Sequence, residues 1–286
     1  MAWAKLNLTL EVLGRRADGF HELRSLVAFA GVGDTVELTP QDGLDLRIEG
    51  PFAAALDGGN LVMDAAEVAR AQLPSLTLGR FRLVKTLPVA AGIGGGSADA
   101  AAALRLIARA NEGKLTEAAA VALAPRLGSD VAVCLSSAPA LITGRGEIVT
   151  SVRGFPTCGV VLANPGVELS TADAMARLTP RRSRGLPAMP RLSDFAGEFD
   201  KLMDYAGQRR NDLEPVAARL APEVGKALAA LRRLDGARLV RLSGSGATCF
   251  AVFATPRAAL RAATVLAQDQ PDWWITASML GDPKAQ

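Results

Sequence analysis

The stretch Pro88-Val89-Ala90-Ala91-Gly92-Ile93-Gly94-Gly95-Gly96-Ser97-Ala98-Asp99 sets four glycines directly before a helix start. Upstream, Arg80 to Leu87 alternates polar and apolar residues, the period of a half-buried strand. Downstream, Ser97 to Asn111 is rich in Ala, Leu and Arg and is closed by Gly113, the pattern of a helix and its stop signal. The glycines therefore join a strand to a helix N-terminus. Backbone without side chains at Gly92, Gly94, Gly95 and Gly96 can turn tightly and aim successive N–H groups at an anion, which the helix dipole also attracts. Phosphate is the guest these features favour, and a glycine-rich connection with no ligand is the alternative. No Gly-Lys-Ser/Thr ending follows the glycines, so the loop is not a Walker-type one. The dinucleotide fingerprint starts at Gly92 and Gly94 but meets Ser97 where its third glycine belongs, which disfavours a nicotinamide-binding domain.

The chain of 286 residues has room for two domains and a sizeable core. Basic residues (32) and acidic residues (29) nearly balance along the chain, so the net charge of +3 favours anionic ligands only mildly and marks no nucleic-acid protein. Cys134, Cys158 and Cys249 lie far apart with no paired spacing, which argues against a disulfide framework and a zinc site and fits a reducing cytoplasm. No segment reaches the roughly 20 apolar residues that a bilayer crossing needs.

Ala4 to Val12 alternates, with Lys5, Asn7, Thr9 and Glu11 on its polar face, and predicts an amphipathic strand. Short strands are expected over Asp34–Leu38, Leu44–Glu49 and Gly159–Ala163, with helices over Leu61–Leu73 and Thr116–Leu127. Ser170 and Thr171 start a short helix through Leu178, and a second domain is expected to begin near Gly154, giving domains 1–153 and 154–286. The Pro- and Arg-rich residues 179–192 predict a flexible insertion, either a solvated loop or a mobile cover over an anionic ligand. A helix over Glu223–Leu234, a hairpin around Gly244-Ser245-Gly246, a helix over Pro256–Gln268 and a strand over Trp273–Leu280 predict a split βαβ sandwich for this half.

Phosphoryl transfer needs a group that takes the acceptor's proton and a cation that offsets the charge on the transferring phosphate. Asp130 and Lys5 are the candidates. Asp130 follows Gly128-Ser129 and precedes the apolar run Val131–Leu135, and its alternative is a helix cap. Lys5 shares its strand face with Asn7, so the two could meet one ligand, and its alternative is a solvent-facing strand lysine. His21 is the only histidine, which makes a multi-histidine metal site impossible and leaves Ser-His-Asp hydrolysis a single place to occur. It follows Phe20 in a turn where ring and imidazole could grip a flat heterocycle, a surface histidine being the alternative. Gly244-Ser245-Gly246 reads as a tight turn or as a place where backbone approaches a phosphate.

Taken together, three segments resemble the GHMP kinases: Pro88–Asp99 their phosphate loop, Gly128-Ser129-Asp130 the segment of their catalytic aspartate, and Leu242–Thr248 their C-terminal glycine motif. Ala4–Leu8, Arg16–His21, Gly94–Ser97 and Asn211-Asp212-Leu213-Glu214 are similar to motifs of family members that phosphorylate a cytidyl diphosphate sugar alcohol. The resemblance implies an α+β fold, with an N-terminal domain like ribosomal protein S5 domain 2 and a ferredoxin-like C-terminal domain. It implies ATP and Mg²⁺ as cofactors, Lys5 and Asp130 as catalytic residues, and Pro88, Ala91, Gly92, Gly94, Gly95, Gly96 and Ser97 around the nucleotide phosphates. Ser97 is the one candidate to reach Mg²⁺ through the nucleotide, no other protein ligand to a metal being expected. Asn7, Phe20, His21, Thr171 and Met175 would meet the acceptor. Phe20 stands where the family often has tyrosine, and Met175 where a second ring over the cytosine is expected. The implied protein is a cytoplasmic enzyme with a small-molecule substrate, without nucleic-acid or membrane partners, as a monomer or weak homodimer.

Overall fold

The expected N-terminal strand is realised as two, β1 (Ala2–Asn7) and β2 (Glu11–Arg15). The break has a side-chain cause: Ser25 Oγ donates to the Thr9 carbonyl, and Thr9 Oγ1 accepts from Leu26 N at 3.0 Å, so side-chain groups replace ladder bonds at residue 9. In this computed structural model, residues 1–17, 19–56, 58–178 and 195–284 are described. The insertion expected over 179–192 lies outside them.

The chain continues through β3 (His21–Pro40), β4 (Asp45–Glu49), α1 (Leu61–Gln72), β5 (Gly79–Val84), α2 (Gly95–Ala110), α3 (Glu117–Leu123) and α4 (Val131–Ser136). It then forms β6 (Ala140–Gly144), β7 (Ile148–Ser151), β8 (Cys158–Asn164), α5 (Thr171–Ala176), α6 (Phe199–Gly207), α7 (Glu214–Leu220) and α8 (Pro222–Arg232). The last elements are β9 (Leu239–Leu242), β10 (Cys249–Phe253), α9 (Pro256–Asp269) and β11 (Trp274–Gly281). Two compact units share these elements: Met1–Ala4, Val32–Val89 and Gly94–Ser137 form the first, and Lys5–Gly31, Ala90–Ile93 and Ala138–Gln286 the second.

In the first unit, the end of β3 pairs antiparallel with β5 from Thr35 opposite Val84 to Pro40 opposite Gly79, and β4 pairs parallel with β5. The alternation in β5 turns Phe81 and Leu83 inward, both fully buried, and Arg80 and Arg82 outward into ion pairs with Asp45, Glu37 and Glu49. α2 packs on α1 and α4, and its alanines at 98, 100, 101, 102 and 103 let these neighbours come close around Leu104 and Ile107. Thr116 caps α3 as its sequence suggests, accepting from Ala119 N, and Asn60 caps α1, accepting from Val62 N. After α3, Pro125 lies in a short 3₁₀ turn over Ala124–Arg126.

In the second unit, β8 is buried along its whole length and pairs antiparallel with β10 and β11, while β9 and β10 form a hairpin. The order β11-β8-β10-β9 is that of the expected split βαβ sandwich. Helices α8 and α9 lay Val224, Leu228, Leu231, Ala259 and Leu266 onto one core with Val161 and Phe253. The three cysteines are buried. Among the described residues, no helix is long and apolar enough to cross a membrane.

Leu104→Ala removes a fully buried side chain from the centre of α2. It should cost about 2–5 kcal/mol in chemical denaturation, whereas Leu260→Ala, on the exposed face of α9, should leave the midpoint nearly unchanged.

Candidate active site

The glycine loop begins where β5 ends and finishes as α2 begins. Positive φ at Ala90 (51°), Gly92 (74°) and Gly94 (66°) gives it a backbone path that favours glycine. Gly94 is the N-cap of α2 and carries no side chain, so no side chain caps the helix, and no acidic residue occupies its first turn. The start of α2 is thus a helix end of positive potential, built from Gly95, Gly96 and Ser97, with Gly96 exposed and Ser97 half-buried.

Ala90–Ile93 belongs to the second unit and is fixed there by the turn between β9 and β10. A Cβ on Gly92 would lie within 3 Å of the Ser243 carbonyl and of Gly246 backbone, so two backbones touch where no side chain fits. Ser243 Oγ donates to the Gly92 carbonyl at 2.9 Å, and Thr248 N donates to the Ala91 carbonyl at 3.1 Å. Asn211 secures this turn: its Nδ2 donates to the Leu242 and Gly244 carbonyls at 2.9 and 2.8 Å. Asn211, the first residue of the motif Asn211–Glu214, therefore helps to build the turn.

The strand that carries Lys5 joins the same network. Lys5 N donates to the Ile93 carbonyl at 2.9 Å, and Asn7 N donates to Ser243 Oγ at 3.3 Å. Lys5 is 3% exposed rather than solvent-facing, and its Nζ donates to Asn7 Oδ1 at 2.8 Å. The structure thus brings together Lys5 and Asn7, as their shared strand face predicted. Asn7 Nδ2 donates in turn to Ser25 Oγ at 2.8 Å, which holds the amide with its oxygen toward Lys5.

Asp130 lies half-buried at the N-cap position of α4, but its side chain makes no capping hydrogen bond, so capping does not account for it. In the same unit, Gly128 approaches Ser97: a Cβ there would stand 4.0 Å from Ser97 Oγ. Pro88 and Ala91 are buried within the loop.

The acceptor-side residues are more dispersed. His21 opens β3 opposite Arg15 and is half-buried. Phe20 is exposed, with the Arg145 guanidinium 4.7 Å from its ring centroid. Thr171, the first residue of α5, shares a 2.6 Å hydroxyl contact with Ser245 of the glycine turn. Met175 is half-buried and packs against the small core of Leu10, Val12, Ala174, Leu213 and Val216.

Four charged residues escaped the sequence reading: Lys85, Asp34, Asp99 and Arg145. Lys85 Nζ donates to Asp34 Oδ2 at 2.5 Å and to Asp99 Oδ2 at 2.8 Å, all three side chains being buried. Burial opposes the Lys85 ammonium, but the Asp99 and Asp34 carboxylates outweigh it and raise its pKa. Asp99 is pushed up to about 7, chiefly by burial, with Lys85 pulling the other way and Asp34 adding to the rise. The signal was present in the period of β5, which puts Lys85 on the face of Phe81 and Leu83. Arg145 gave none, because its partner Phe20 is remote in sequence. Among the described residues, no group of three or more His, Cys, Asp or Glu side chains could hold a metal ion.

The family model for the GHMP kinases N-terminal domain matches residues 60–138, and that for the GHMP kinases C-terminal region matches 192–271. The chain is 48% identical over 281 residues to 4-diphosphocytidyl-2-C-methyl-D-erythritol kinase of Methylobacterium radiotolerans, covering 97% of each chain. It is 44% identical to the protein of that name from Rhodopseudomonas palustris, covering 98% of this chain and 94% of the other. Among solved structures, a 4-(cytidine 5'-diphospho)-2C-methyl-D-erythritol kinase is 31% identical with a TM-score of 0.79 and 98% of each chain covered. Homoserine kinase from Cytophaga hutchinsonii, 18% identical with a TM-score of 0.67 and coverage of 98% and 93%, shares the fold.

Gly92→Ala puts a methyl group into a backbone contact and onto a positive φ. Nucleotide affinity measured by calorimetry should fall at least about tenfold, since a misplacement near 1 Å can cost 10²-fold. Gly113→Ala, also at positive φ but in open space, should leave affinity unchanged.

Proposed function

Because the chain belongs to the GHMP kinases, we propose that it transfers the γ-phosphoryl group of ATP to the C2 hydroxyl of 4-diphosphocytidyl-2-C-methyl-D-erythritol, giving the 2-phosphate and ADP. The reaction belongs to non-mevalonate isoprenoid precursor synthesis. The observation that carries the reading is the glycine loop at the uncapped N-terminus of a 16-residue helix, together with near-full-length relatives that bear this activity in their names.

In this reading the loop from Pro88 to Ser97 holds the nucleotide phosphates through backbone N–H groups, and Gly94, Gly95 and Gly96 let the phosphate approach. Ser97 supplies the only side-chain oxygen of the loop, which fits a position beside Mg²⁺ carried by the nucleotide. The cation neutralises charge on the β and γ oxygens when bound. Asp130 takes the proton of the acceptor hydroxyl, a role supported by its place just after Gly128, which approaches Ser97 in the same unit. Lys5 holds the acceptor and offsets charge on the transferring phosphoryl group, with its ammonium aimed by Asn7. His21 and Phe20 take the cytosine end, and Thr171 and Met175 border it.

We further propose that residues 1–153 and 154–286 are the two domains of the sequence, since the two family matches fall on either side of residue 153, with Lys5–Gly31, Ala90–Ile93 and the residues from Ala138 onward grouping with the C-terminal half in the fold. The enzyme works in the cytoplasm as a monomer or weak homodimer, without nucleic-acid or membrane partners.

The test is ADP release with Mg²⁺-ATP and the cytidyl compound, set against galactose, homoserine and mevalonate. Turnover should occur with the cytidyl compound alone, and turnover only with another alcohol would overturn the acceptor assignment. Asp130→Asn should lower kcat by about 10² to 10⁴, the range for a positioned base, with ATP affinity within a few fold. Near-normal turnover in that variant would remove Asp130 from its role.

A further inference from the structure

We propose that Lys85 is a positioning residue for the phosphate loop, fixing the spacing between the start of the loop and the first turns of α2 through Asp34 and Asp99. The proposal rests on the ATP reading above and adds to it a part of the machinery that touches no ligand.

Asp34 grips the chain where β5 gives way to the loop. Its Oδ1 accepts from Thr86 N at 2.6 Å and Leu87 N at 2.8 Å, and Thr86 Oγ1 donates to the Gly33 carbonyl at 2.8 Å. Its other oxygen takes Lys85 Nζ, and the same ammonium reaches Asp99, one turn into α2. The bridge therefore ties the residues just before Pro88 to the helix that follows Gly94. Lys85 also lies directly beneath the helix start: a Cβ on Gly95 would stand 3.1 Å from Nζ and 3.7 Å from Asp34 Oδ2.

Stability alone gives weak grounds for such a cluster. Three ionisable side chains with exposures between 0% and 4% have lost their water. Replacing buried ion pairs by apolar residues is often neutral or stabilising, whereas their directional bonds fix a geometry. Asp99 Oδ1 is buried with no hydrogen-bond partner, a cost that a residue serving packing would avoid. Burial is the main cause of the raised pKa of Asp99, with the neighbouring Asp34 carboxylate adding to it and Lys85 opposing it. What the arrangement supplies is a fixed distance across the loop, and misplacement there is paid in nucleotide binding.

The experiment is calorimetric titration of the full chain with Mg²⁺ and a non-hydrolysable ATP analogue, in the absence of acceptor, on wild type, Lys85→Met and Asp99→Asn. Lys85→Met should weaken binding by about tenfold or more, as loss of positioning does. Asp99→Asn keeps an oxygen for Lys85 and should bind within about threefold of wild type, the conservative rescue. In steady state, Lys85→Met should raise KM for ATP with little change in KM for the acceptor alcohol. If Lys85→Met does not fold, Asp99→Leu cuts the α2 half of the bridge and should show the same loss. A lowered Tm with unchanged nucleotide affinity, or equal rises in both KM values, would overturn the proposal. Wild type that binds the analogue but phosphorylates no acceptor would refute the acceptor reading and leave this one standing. Wild type that binds no nucleotide would overturn both.

Discussion

Everything proposed for the site depends on one backbone contact, that of Gly92 with the turn from Ser243 to Gly246. A peptide chain can hold an anion with its own N–H groups only if it is bent into place by something other than those groups. Here the Gly92 and Ala91 carbonyls are taken by Ser243 Oγ and Thr248 N, so acceptors anchor the loop and donors remain for a ligand. Glycine at 92 follows from distance as much as from φ, because the opposing group is backbone and cannot yield. The left-handed residues Ala90 and Gly94 complete the bend on either side.

The same anchoring logic extends outward from the turn. Asn211 fixes it from behind, Asn7 N reaches Ser243 Oγ, and Lys5 lies two residues before Asn7 with its ammonium on the Asn7 side chain. Asn7 therefore serves the turn with its main chain and Lys5 with its amide oxygen. At the other end of the loop, Asp34, Lys85 and Asp99 play the corresponding part with charge. Within each unit, side chains far apart in sequence thus hold the part of residues 88–97 that belongs to it.

Much of this was legible in the sequence where the signal was local. The strand-glycine-helix succession around Gly92, the caps at Thr116 and Ser170, and the β9–β10 hairpin depend on neighbours a few residues apart, and they stand where the sequence put them. β3 was legible only in part. Its 20 residues contain polar positions that alternation reads as breaks, and pairing with β2, β5, β6 and β11 along its length overrides that reading. Helices α6 and α7 were missed, as was the split between β1 and β2, since Thr9 and Ser25 compete for the ladder only when the chain is folded. Lys5 illustrates the limit for the site: its strand face was readable, but its burial was not, because both faces of β1 are covered. Lys85 shows the converse, a buried charge whose parity was visible but whose partners lie 51 and 14 residues away.

The central claim is that the backbone of residues 92–97 holds the nucleotide phosphates, and amide chemical shifts of ¹⁵N-labelled protein titrated with Mg²⁺-ATP test it most directly. The account predicts that the amides of Gly92 and Gly94–Ser97 move most and saturate together. Saturable binding that leaves those amides in place and moves others instead would contradict it.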